Sequence, residues 1–85
     1  MSTKIIRAIL VALLKCDGQP MPEDALITAV QLTCRPDEPT EGDVVNQMKE
    51  LVSQKLIEGA TDETTKERFW ALTTPKGLMK ARQLR

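Results

Sequence analysis

The residue types that usually run enzyme chemistry at neutral pH are scarce in this chain. Its 85 residues include no His and no Tyr, and its two cysteines, Cys16 and Cys34, stand far apart without ligand-type neighbours. A general base works best when it titrates near neutrality, and zinc-type sites need Cys or His at short spacing. The Asp, Glu and Lys that remain form no recognisable nucleophile-and-base arrangement. The expectation is therefore no enzyme, no cofactor and no metal. Cys16 and Cys34 are expected as half-buried reduced thiols rather than a disulfide, which suits a cytoplasmic protein.

The chemistry that remains is that of binding. Lys66 and Arg68 flank a polar segment, Arg35 opens a proline-rich stretch, and Asn46, Gln47 and Lys49 follow one another closely. Lys and Arg neutralise phosphate, while Asn and Gln can pair with the edge of an adenine. The same residues are also ordinary on a solvated helix face, so their surroundings must decide. Overall charge does not, because 12 cations balance 12 acids. Its distribution says more. Residues 1–16 carry three cations and no acid, residues 17–63 eleven acids against three cations, and residues 64–85 six cations against one acid. Basic ends thus bracket an acidic middle.

These side chains must be held by one small domain, which is what 85 residues and an apolar content of 41% support. Ile5, Ile6, Ile9, Leu10, Leu13 and Leu14 recur at helical spacing and predict a first helix over 3–16, with Ser2 or Thr3 as cap and Gly18 beyond its end. Its apolar run follows a basic start, as in a signal peptide. Arg7 interrupts it, however, no small-residue cleavage site follows, and it is too short to span a membrane.

Gln19-Pro20-Met21 leaves room for a turn or one brief strand. Pro22 is expected as the first residue of a second helix, with Ala25, Leu26, Ala29, Val30 and Leu32 as its apolar stripe and an end near Thr33. Cys34 to Pro39 is a loop, because Pro36 and Pro39 forbid a helix. Thr40-Glu41-Gly42-Asp43 reads as a capping box opening a third helix that ends around Gln54, with Val44, Val45, Met48, Leu51 and Val52 inward. Ile57–Thr61 and Arg68–Thr73 then read as a β-hairpin with a polar tip at Asp62 to Lys66. Thr74 caps a last short helix begun by Pro75, with Thr73 as the alternative cap and Leu78, Met79, Ala81 and Leu84 available for packing.

Three helices, a hairpin and a fourth helix give a mainly α, α+β chain. Met48-x-x-Leu51-x-x-x-x-Leu56-Ile57 resembles the stretch of winged-helix families in which the third helix runs into the first wing strand. Trp70-x-Leu72-Thr73, followed by Pro75-Lys76-Gly77, is similar to the segment that ends the wing in PadR-like and MarR-like bacterial regulators. Trp70 and Leu72, two apart, both point to the core side, and Gly77 lets the next helix approach the sheet closely. The loop between the second and third helices is longer than the tight turn of a standard helix-turn-helix.

The resemblance implies a dimeric transcriptional regulator that binds double-stranded DNA, with bases met by Asn46, Gln47 and Lys49 and phosphates by Lys66, Arg68 and Arg35. It also implies a homodimer through the terminal helices, for which Ile6, Leu10 and Leu13 are surplus apolar residues on the first helix, unless a crowded core uses them internally. Phe69, next to an inward Trp70, is expected outward as a partner contact unless a terminal helix covers it. The alternative is a protein-interaction module on the same scaffold without DNA contact, resting on the acidic middle segment: the acidic surface of the second and third helices would meet a basic partner, or the basic ends an acidic one.

Overall fold

The computed structural model describes residues 3–16 and 19–84. Among them are four helices and one three-stranded antiparallel sheet: α1 (Thr3–Leu14), β1 (Met21–Pro22), α2 (Glu23–Thr33), α3 (Glu41–Ser53), β2 (Ile57–Thr61), β3 (Arg68–Leu72) and α4 (Lys76–Leu84). The fold class is α+β, and no helix of the described residues is long and apolar enough to cross a membrane. Ser2, Gly18 and Arg85 lie outside the described residues.

Helix α1 is the hub. It packs against α2, α3, α4 and β3, so it buries a wide arc rather than one stripe: Ile5, Ala8, Ile9, Leu10 and Leu13. This arc accounts for its apparent surplus of apolar residues. Leu10 and Leu13, expected at a dimer interface, are 0% and 1% exposed within the chain's own core. Helix α1 also packs on α4 of the same chain. The helix stops at Leu14, earlier than expected. There the Cys16 N–H reaches back three residues to the Leu13 carbonyl at 3.2 Å, tightening the last turn.

Pro22 corrects the expected start of α2. It pairs with Phe69 in β1 and serves as the N-cap in extended geometry, one position before the first helical residue. Glu23 and Asp24 then occupy the first turn, where the helix dipole favours acids. The buried face is Leu26, Ile27 and Val30. Ala25 and Leu32, counted inward from the sequence, fall on the other side of the helix and are exposed.

The capping box of α3 forms as its sequence predicts. Thr40 Oγ1 accepts from the Asp43 N–H at 3.1 Å, and the Thr40 N–H donates to Asp43 Oδ2 at 3.4 Å. Val44, Met48 and Leu51 are buried, whereas Val52, expected inward, is 41% exposed. At the other end the Lys55 N–H donates to Val52 O and the Leu56 N–H to Leu51 O, both at 2.9 Å. This is a Schellman motif, with Lys55 at φ 62° in the left-handed position that glycine usually fills.

The sheet order is β1-β3-β2, with Ile57 opposite Leu72 and Gly59 opposite Trp70. Residues directly opposite share a face, so Ile57, Gly59, Arg68, Trp70 and Leu72 lie on the core side. Trp70 crowds its neighbour: a Cβ on Gly59 would stand 2.8 Å from the indole. Of the two candidate caps of α4, Thr73 rather than Thr74 fills the role, its Oγ1 accepting from the Gly77 N–H at 3.0 Å.

Candidate nucleic-acid interface

Four turns of helix fix the first part of the surface. Because Val44, Met48 and Leu51 face the core, Asn46, Lys49, Glu50 and Ser53 are turned to solvent. With Gln47 they line a shallow recess of about 530 Å³. Gln47 itself is half-buried, and its Oε1 is buried without a hydrogen-bond partner among the described residues. It presents less to an incoming base than the sequence suggests. Ser53, whose hydroxyl is also able to meet a base edge, belongs to the same face.

The hairpin supplies the second part. Arg68 pairs with Thr61 across the ladder and points to the same side as Trp70. Val52 of α3, Gly59, Thr61, Arg68 and Trp70 line a common recess of about 280 Å³. Arg68 therefore stands beside the C-terminal half of α3. This link runs through Val52, the residue expected inside, and only the three-dimensional packing reveals it.

The hairpin tip is built by Asp62. Its Oδ1 accepts from the N–H groups of Thr64 at 2.7 Å and Thr65 at 3.1 Å, and its carbonyl accepts from the Lys66 N–H at 2.8 Å. Lys66 takes φ 63°, so it, rather than an Asn-Gly pair, makes the tight reversal. Its side chain is exposed at the end of the hairpin. The tip also carries Asp62, Glu63 and Glu67, which reduce its positive charge.

Arg35 does not stand free. In the α2–α3 loop its Nε donates to Glu38 Oε1 at 2.7 Å, the one ion pair among the described residues. An exposed pair of this kind contributes less than about 1 kcal/mol, so a phosphate can displace it, but Arg35 is partly neutralised where it sits. The acidic first turn of α3 is partly occupied as well, since Asp43 is engaged with Thr40 while Glu41 is exposed.

Two further features lie off this surface. Phe69 is half-buried on the opposite side of the sheet from Arg68, beside Pro20, Ala60 and Ala71, and Ile6 is half-buried on α1. Lys4, Arg7 and Lys15 share the outer face of α1 around Val11, in a recess of about 400 Å³ closed by Thr33. Arg7 is committed in part, its Nε donating to the Leu84 carbonyl at 2.8 Å and so capping the end of α4. Cys34 is buried and Cys16 half-buried, both as free thiols. Neither a scan against protein-family models nor searches among curated proteins and solved structures gives a match to this chain.

Proposed function

We propose that the chain is a winged-helix protein that binds double-stranded DNA, acts as a small transcriptional regulator in the cytoplasm and catalyses no reaction. The observation that carries this reading is the recess joining Val52 of α3 to Arg68 and Trp70 of the hairpin. It sets the Val52 edge of α3 beside the basic side of the hairpin, which supports reading the two as parts of one surface. The order of the elements, three helices, a hairpin and a fourth helix, agrees with the order the resemblance implies.

On this reading Asn46, Lys49 and Ser53 meet base edges, and Lys66 and Arg68 meet phosphates. Glu41 and Asp43 repel the backbone at the start of α3, so the middle and end of that helix enter the groove. Arg35 joins only after leaving Glu38. The test is titration of labelled mixed-sequence duplex at low salt, with an acidic protein as control. Duplex binding no tighter than binding to the control contradicts the proposal.

A second reading, a protein-interaction module on the same scaffold, is favoured by the Arg35–Glu38 pair and the acidic first turn of α3. It requires a basic partner on the Glu41 side. A captured partner that is lost on Glu41→Lys, together with no duplex binding, supports it over the first.

A further inference from the structure

Two surfaces of this molecule, a recess on the sheet that borders the Arg68 side at Gly59, Ala60, Thr61 and Trp70 and one face of α4, are complementary to each other. The first is the outer face of the sheet. There Phe69, Ala60, Ala71 and Pro20, with Trp70 at the edge, floor an open recess of about 530 Å³, and its charged rim is purely acidic, formed by Glu58 and Asp62. Glu58 has no ion-pair partner among the described residues, and the Asp62 carboxylate is bonded only to backbone N–H groups of its own turn.

The second surface is one face of α4. Lys76, Met79 and Lys80, at i, i+3 and i+4, lie side by side. Met79 is 57% exposed, the most exposed large apolar side chain among the described residues. Neither lysine is in an ion pair there. An unbranched, adaptable side chain between two cations matches an apolar floor inside an acidic rim in polarity and charge.

We propose that α4 of one copy docks into the sheet recess of another, with Met79 on Phe69 and Ala60 and with Lys76 and Lys80 against Glu58 and Asp62. The contact joins two different patches. Two such contacts about a two-fold axis close a dimer, and one per copy propagates a chain. Neither route uses Leu10 or Leu13, and neither depends on DNA.

Sedimentation equilibrium over a range of concentration and salt tests this. The wild-type mass is expected to rise above the monomer with concentration and to fall back with salt. Met79→Ala weakens association roughly tenfold. Glu58→Lys alone and the double variant Lys76→Glu with Lys80→Glu each remain monomeric, whereas an equimolar mixture of the two associates, because Lys76 and Lys80 of the first meet the unaltered acidic recess of the second. Circular dichroism verifies folding of each variant. If Glu58→Lys does not fold, Ala60→Lys in the same recess replaces it. A wild type that is monomeric throughout, association unchanged in the variants, or a mixture of folded variants that stays monomeric overturns the proposal.

Discussion

A Cβ placed on Gly77 would lie 1.9 Å from the carbonyl oxygen of Leu56, and 2.8 Å from Thr73 Oγ1. The first turn of α4 thus rests directly on the backbone where α3 gives way to β2. This contact joins three elements, and no side chain fits in it. Gly77→Ala must push α4 away from the sheet and is expected to cost about 3 kcal/mol, read as a lower urea midpoint with an unchanged slope. A loss below about 0.5 kcal/mol contradicts the close approach.

Thr73 clasps the same joint. Its hydroxyl donates to the Lys55 carbonyl at 2.7 Å and accepts from the Gly77 N–H at 3.0 Å. Thr73→Val keeps the shape and removes both bonds, leaving a helix-end N–H without its partner, for an expected loss of about 1–2 kcal/mol. Thr74→Val, at an exposed site, changes stability by less than about 0.5 kcal/mol. Equal effects at the two positions in thermal melts contradict the assignment of the cap.

Lys55 and Lys66 both hold positive φ, 62° and 63°, where a side chain is strained. Glycine at either position fits the backbone better, and each replacement is expected to raise stability by about 0.5–1 kcal/mol, although glycine also loosens the unfolded chain. Lys66→Gly is the more informative, because it stabilises the hairpin while removing a cation from its tip. The expected result is a higher melting temperature with weaker duplex binding. A rise in both contradicts the role given to Lys66.

Leu10 is completely buried in the chain's own core. Leu10→Ala is expected to lower the stability of the single chain by about 3 kcal/mol, and by the same amount at every protein concentration. A loss that grows on dilution would show Leu10 acting between copies rather than within one.

Much of this arrangement was legible in the residues. Thr40 and Asp43 announced the start of α3 because a capping box is a local device, complete within one turn. The bounds of β2 followed from the same kind of short-range signal. What was not legible depends on which side of each helix is covered. Ile27 is buried and Leu32 exposed because α1 and α3 cover one side of α2, which apolar spacing alone leaves open. Leu10 and Leu13 looked surplus because a helix packed on several sides has no single stripe. For the candidate interface, Asn46, Lys49 and Arg68 were identifiable from type and position. The junction through Val52 was not, since an apolar residue at a core spacing gives no sign of lying at an edge. The pairing of Arg35 with Glu38 was missed for another reason: the i,i+3 relation crosses a proline-containing loop whose path is not periodic.

The central claim is that α3 and the hairpin form one DNA-binding surface, and the salt dependence of duplex binding tests it most directly. Lys66→Glu combined with Arg68→Glu removes two phosphate contacts. The account predicts weaker binding to every duplex sequence and a slope of log K against log salt shallower by about 2. Asn46→Ala, by contrast, should leave the slope unchanged and reduce discrimination between sequences. A folded double variant that binds duplex with wild-type affinity and wild-type salt slope contradicts the account.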